Sequence, residues 1–114
     1  MTLLMLICTS TLLAQDVTRM VFFNLKHEAG TKEADSFFKN ALVLKDVPSV
    51  SDFKILRVEG KQFEYDYVIQ LKFEDQQGVR DYVNHQIHTD YLENEWKPNT
   101  TGGMLIDLLD DLPD

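Results

Sequence analysis

Arg19-Met20-Val21-Phe22-Phe23-Asn24-Leu25-Lys26 is the stretch on which the fold turns. In an extended chain successive side chains point to opposite faces, so Met20 and Phe22 share one face and Val21, Phe23 and Leu25 the other. A strand with water on one side would alternate apolar with polar residues. This one does not until Asn24, so both of its faces are expected to be covered.

Downstream, His27-Glu28-Ala29-Gly30 supplies a turn, and Thr31 followed by acids at 33 and 35 predicts a helix start. Ala34, Phe37, Phe38, Ala41 and Leu42 then repeat at the spacing of one helix face, and the helix should end near Lys45, before Pro48. A second strand is expected over residues 50–59, where the apolar set changes face between Ile55 and Leu56 and hints at a bulge. Gly60-Lys61-Gln62 reads as a hairpin connection. Tyr65, Tyr67, Ile69, Leu71 and Phe73 alternate with mostly polar residues as a third strand, with both tyrosines expected on the face beneath the helices. Asp75 can cap a second helical region carrying Val79, Tyr82 and Val83, then Tyr91, Leu92 and Trp96, stopped by Pro98. Gly102-Gly103 is expected to reverse the chain into a last strand, residues 104–109, and the acidic run from Asp107 to Asp114 is read as solvated.

The order β-α-β-β-α-β is the split βαβ, ferredoxin-like α+β arrangement, an antiparallel sheet with helices on one face. The other face needs a cover. Strands one and four are apolar on both sides, so the expected cover is a second copy of the same sheet in a homodimer, a dimeric α/β barrel.

Composition narrows the function. The 114 residues make one domain, and a net charge of −8 repels phosphate backbones, so no nucleic acid is expected as partner. Residues 1–14 carry no charge and a nearly continuous apolar run, the pattern of a signal peptide. The run is shorter than the roughly 20 residues a membrane span needs, so no stable membrane insertion is expected. Removing it leaves residues 15–114 as a single domain without the lone cysteine, Cys8, which suits a secreted or periplasmic protein. If residues 1–14 are instead retained, the protein is expected in the cytoplasm.

The opening RMVFFNLK and the segment Asp81-Tyr82-Val83-Asn84-His85-Gln86-Ile87-His88, followed by Tyr91-Leu92, resemble the stress-response dimeric α/β-barrel (Dabb) family over about residues 18–109. The resemblance implies sheet-to-sheet dimers and functions that are mostly undefined. It includes stress proteins of plants and a polyketide cyclase that works without a cofactor through a Tyr and a His. His85 and His88 match the two histidines of the family's H-P-x-H motif, with Gln86 in place of the proline, and Tyr82 and His88 match the cyclase pair. Arg19 stands where the family usually has a histidine, which changes the charge at that end of the pocket.

Tyr82 and His88 are six residues apart, about 600° around a continuous helix, so they converge only if the helix breaks, expected at His85-Gln86-Ile87. His88 could then act as general base and Tyr82 as oxyanion donor. The plainer alternative has His88 capping a helix end and Tyr82 as a half-buried core ring. Arg19, Phe23, Tyr65, Tyr67, His85 and Trp96 are the candidate ligand-binding residues for a small apolar or aromatic molecule, although an aromatic stripe is more often plain core. His85-x-x-His88-x-Asp90 is a weak metal pattern, and neither a metal nor a cofactor is expected. Arg19 alternatively pairs with one of the acids.

Overall fold

The computed structural model describes residues 15–113, so the apolar segment 1–14 read above as a signal peptide lies outside the described residues. The chain runs β1 (Val17–Leu25), α1 (Lys32–Ala41) with a 3-10 extension (Leu42–Asp46), β2 (Ser51–Arg57), β3 (Tyr67–Phe73), α2 (Gln76–Val83) and α3 (Gln86–Tyr91). A π-helical stretch (Leu92–Trp96) and a last helical turn, α4 (Lys97–Asn99), lead into β4 (Thr100–Leu109). The four strands form one antiparallel sheet in the order β2-β3-β1-β4, the ferredoxin-like topology.

Local chemistry sets the boundaries. Thr31 accepts from the Ala34 backbone N–H and starts α1, and Asp75 accepts from Gly78 N–H and starts α2, as the sequence predicts. Each such cap is worth about 1 kcal/mol. The bulge expected where the apolar set of β2 changes face is not there: Ile55 and Leu56 pair regularly with Ile69 and Val68, and the irregularity lies earlier, between Ser51 and Lys54, with Asp52 at φ 48°.

Val17 and Phe23 of β1, Ile69, Leu71 and Phe73 of β3, and Phe37, Leu44, Val79, Tyr82 and Tyr91 of the helical layer make the core between sheet and helices. On the opposite face Met20, Phe22, Met104 and Ile106 lie in neighbouring registers of β1 and β4, with no helix over them. Among the described residues no helix is long and apolar enough to cross a membrane.

Further local expectations differ from the structure. Pro98 does not stop the helical region but sits in the first turn of α4, which runs on to Asn99. Gly102-Gly103 is not a reversal but lies inside β4, which already begins at Thr100. The bulge between Phe23 and Leu25 needs Gly102 at φ 106°, and a Cβ on Gly103 would sit 2.2 Å from the Phe22 carbonyl oxygen. The β2–β3 connection is wider than Gly60-Lys61-Gln62. It is closed by Val58 N–H donating to the Asp66 carbonyl, so Tyr65 falls outside β3. Asp107 is not part of a solvated tail, because β4 places it opposite Arg19.

Two substitutions test this packing in opposite directions. Gly103→Ala should lower the unfolding free energy by about 2 kcal/mol, since backbone must shift to admit the methyl. Tyr91→Phe should raise it by about 1 kcal/mol, because the Tyr91 hydroxyl is buried without a hydrogen-bond partner among the described residues. Urea unfolding with unchanged slope reads both.

Candidate functional site

The second helical layer is interrupted at one place. α2 ends at Val83, Asn84 closes it, and His85 adopts extended backbone (φ −74°, ψ 142°) before α3 begins. His85 is itself the cap of α3, its Nδ1 accepting from the Ile87 N–H at 3.1 Å. The break therefore falls at Asn84-His85, one step earlier than the sequence suggests. It is enough to bring His88 back over Tyr82, with ring centroids 4.4 Å apart at an interplanar angle of 48°.

His88 is fixed by its Nδ1, 3.1 Å from the carbonyl oxygen of Val83. A carbonyl can only accept, so Nδ1 carries the proton and the lone pair of the neutral ring is on Nε2. Burial lowers the His88 pKa from 6.5; the hydrogen bond to Val83 raises it in part, and the positive charge of Arg19 lowers it further. Tyr82 is 4% exposed, and burial pushes its hydroxyl well above the usual phenol range, with Arg19 pulling the other way. At neutral pH the pair is thus a proton-bearing phenol beside an imidazole with a free lone pair.

Arg19 faces the same space from β1. Its Nε donates to Asp107 Oδ1 at 2.8 Å and its Nη2 to Oδ2 at 3.0 Å, a two-pronged pair across the β1–β4 ladder. That pair holds the guanidinium against the sheet and raises its pKa, so the site keeps one fixed positive charge, partly balanced.

These groups line a cavity of ≈ 390 Å³ between the sheet and α2–α3, with Trp96 and Tyr91 on the helical side and Leu105 on β4. The volume lies within the range of small-molecule sites. Trp96 reaches it from the π-helical stretch, where the extra residue per turn re-aims side chains.

The structure brings four of the sequence candidates together: Tyr82, His88, Arg19 and Trp96. Phe23 lies beneath them, fully buried, its ring 5.1 Å from Trp96, and acts as floor rather than contact. His85 caps α3. Tyr67 packs on Phe38 on the far side of Phe23, and Tyr65 stacks on Phe63 in the β2–β3 loop, so neither lines this cavity. Tyr91, Leu105 and the Asp107 partner were not legible as site residues. Tyr91-Leu92 reads as a helix face, and Asp107 is one acid among nineteen. Among the described residues no three His, Cys, Asp or Glu side chains gather as metal ligands.

Comparison with known proteins agrees with the fold. A family model described as the stress responsive A/B barrel domain matches residues 17–110. No curated protein matches the chain. Among solved structures, a dabb family protein with a ferredoxin-like fold from Mesorhizobium loti superposes with a TM-score of 0.80 at 25% identity, covering 88% of this chain and 98% of that one. The hydroxynitrile lyase of Passiflora edulis gives a TM-score of 0.73 at 12% identity, covering 87% and 98%. A dimeric ferredoxin-like protein of unknown function from Thermobifida fusca gives 0.69 at 14%, covering 82% and 90%. The match over nearly all of the described residues places the chain in the stress-responsive A/B barrel (Dabb) family.

Proposed function

We propose that the protein is a homodimeric binding module that holds a small apolar or aromatic molecule in the cavity beneath α2 and α3. The observation that carries this is the wall itself. Apolar and aromatic side chains line ≈ 390 Å³, and a phenol and an imidazole meet at one side to fix a polar substituent. The uncovered apolar face made by Met20, Phe22, Met104 and Ile106 supports the homodimer, as does the dimeric description of several relatives of the same fold. Export by residues 1–14 belongs to the same proposal. Mass spectrometry of the protein recovered from its native host should find a chain beginning at or close to Gln15, and an intact Met1 would overturn it.

1-Naphthol is a suitable probe, since it joins an aromatic body to one hydroxyl. Titration calorimetry should show one site per chain. His88→Ala and Tyr82→Phe should each weaken it by about tenfold, the loss of one hydrogen bond. Absence of binding at millimolar probe would sink the reading.

A second reading is favoured by one observation, the free lone pair of His88 beside the protonated Tyr82. In a cofactor-independent, polyketide-cyclase-like enzyme, a cyclase, lyase or isomerase, His88 Nε2 would take an acidic C–H proton. Tyr82 would donate to the enolate oxygen that forms. Hydroxynitrile lyase, among the relatives in fold, shows that this fold hosts chemistry. The proton step can be followed alone, as deuterium exchange into pentane-2,4-dione by NMR. The neutral imidazole is the active form and its pKa lies below 6.5, so exchange should rise with pH, pass half of its rise below pH 6.5, and vanish in His88→Ala. Exchange at the buffer rate would leave the binding module standing alone.

A further inference from the structure

The wall of the cavity beneath α2 and α3 presents a positive charge and no negative one. Among the described residues that line it, the polar side chains are Arg19, Tyr82, His88, Tyr91 and Trp96, and none is a carboxylate. In a chain with 19 acidic residues against 11 basic ones, that is the reverse of the overall balance. Asp107 does not cancel the charge from within. It lies on the same face of β4 as Leu105, yet Leu105 lines the cavity and Asp107 does not. Its side chain is 31% exposed and that of Arg19 13%, so the carboxylate stands on the solvent side of the pair, where water screens it.

Asp107 also takes only one edge of the guanidinium. Its oxygens meet Nε and Nη2, and among the described residues no acceptor meets the edge formed by Nη1 and Nη2. That second edge is a planar, two-pronged donor, the geometry that fits a carboxylate. Arg19 is near enough to Tyr82 and His88 for its charge to act on the ionisation of both. A carboxylate that meets this edge from the cavity therefore lies close to the phenol and the imidazole, with the body it carries against Val21, Ile69, Leu105 and Trp96. A neutral occupant fares worse. It displaces water from the edge and leaves charged donors without an acceptor, which costs more than an unmade bond between neutral groups.

We propose that the ligand of this cavity is a carboxylic acid bound as its anion, one carboxylate on an otherwise apolar or aromatic body, held by the Nη1–Nη2 edge of Arg19. The inference rests on the binding reading and adds the charge of the ligand to it. Arg19 is then the residue that selects the anion, and Asp107 the one that fixes the angle at which Arg19 offers its second edge.

Probes of one shape and different charge test it by titration calorimetry: 1-naphthoate, the neutral 1-naphthamide and 1-naphthol. On the natural chain 1-naphthoate should bind about tenfold more tightly than 1-naphthamide. Asp107→Asn should widen that preference about threefold, because the guanidinium loses its balancing charge. Arg19→Gln with Asp107→Asn, a pair without charge, should reduce it to within about twofold. Circular dichroism checks that the variants fold, and the ligand pair on the natural chain decides the matter where one does not. 1-Naphthoate bound no more tightly than 1-naphthamide, or a preference that survives in the uncharged pair, would overturn the carboxylate and leave a module that binds 1-naphthol standing. 1-Naphthyl phosphate bound more tightly than 1-naphthoate would overturn it in favour of a phosphate ester. A chain that binds none of these probes would remove the binding reading and this inference together.

Discussion

β1 is the strand to which the rest of the sheet is registered. It pairs with β3 on one side and β4 on the other, while Val17 and Phe23 on its helix face are completely buried. Arg19 lies between those two anchors on the same face, so its position is set by packing on both sides before any charge is considered. The bidentate contact to Asp107 then ties β4 to β1 at the cavity wall. An arginine is suited to this, because its planar fork matches a carboxylate at two points where a lysine could offer only one charge. The polar wall of the site is thus a consequence of strand register.

The opposite wall depends on a failure of helical continuity. Had α2 continued into α3, the Tyr82 and His88 rings would lie on different faces of one cylinder. The extended residue His85 ends one helix and caps the next, and His88 uses the freed carbonyl of Val83 as its anchor. The two histidines therefore have different duties. One builds the corner, and the other is presented by it with a defined tautomer. The π-helical stretch that follows carries Trp96 toward Phe23 and completes the enclosure.

Much of this was legible from residue order, and what was not has physical causes. The two-sided apolar β1, the caps Thr31 and Asp75, and the alternation in β3 are short-range signals, read from neighbours in the chain, and they fix the α+β topology. The need for a helix break followed from the spacing of Tyr82 and His88, and its expected place, His85-Gln86-Ile87, is one step late, because a histidine as helix cap is indistinguishable in sequence from a histidine as ligand. Tyr65 and Tyr67 are equivalent by alternation. The wide turn closed by Val58 and Asp66 takes Tyr65 out of the strand, and turn width is poorly encoded by one glycine. Asp107 could not be distinguished within an acidic terminus, since its partner lies 88 residues earlier. Gly102-Gly103 carried the signal of a turn, whereas its cause is the close approach of the Phe22 carbonyl in the adjacent strand.

The corner at Asn84-His85 also bears on how such a site can change over generations. Single-base changes can alter what surrounds the phenol and the imidazole while both keep their angular relation. Gain or loss of one codon in the first turn of α3 would turn the following residue by about 100° around the axis of that helix. The imidazole would then leave the Val83 carbonyl and the face of Tyr82. Lineages that keep the pair should thus diverge by replacement within these seven residues, while length variation collects elsewhere, as in the wide β2–β3 loop.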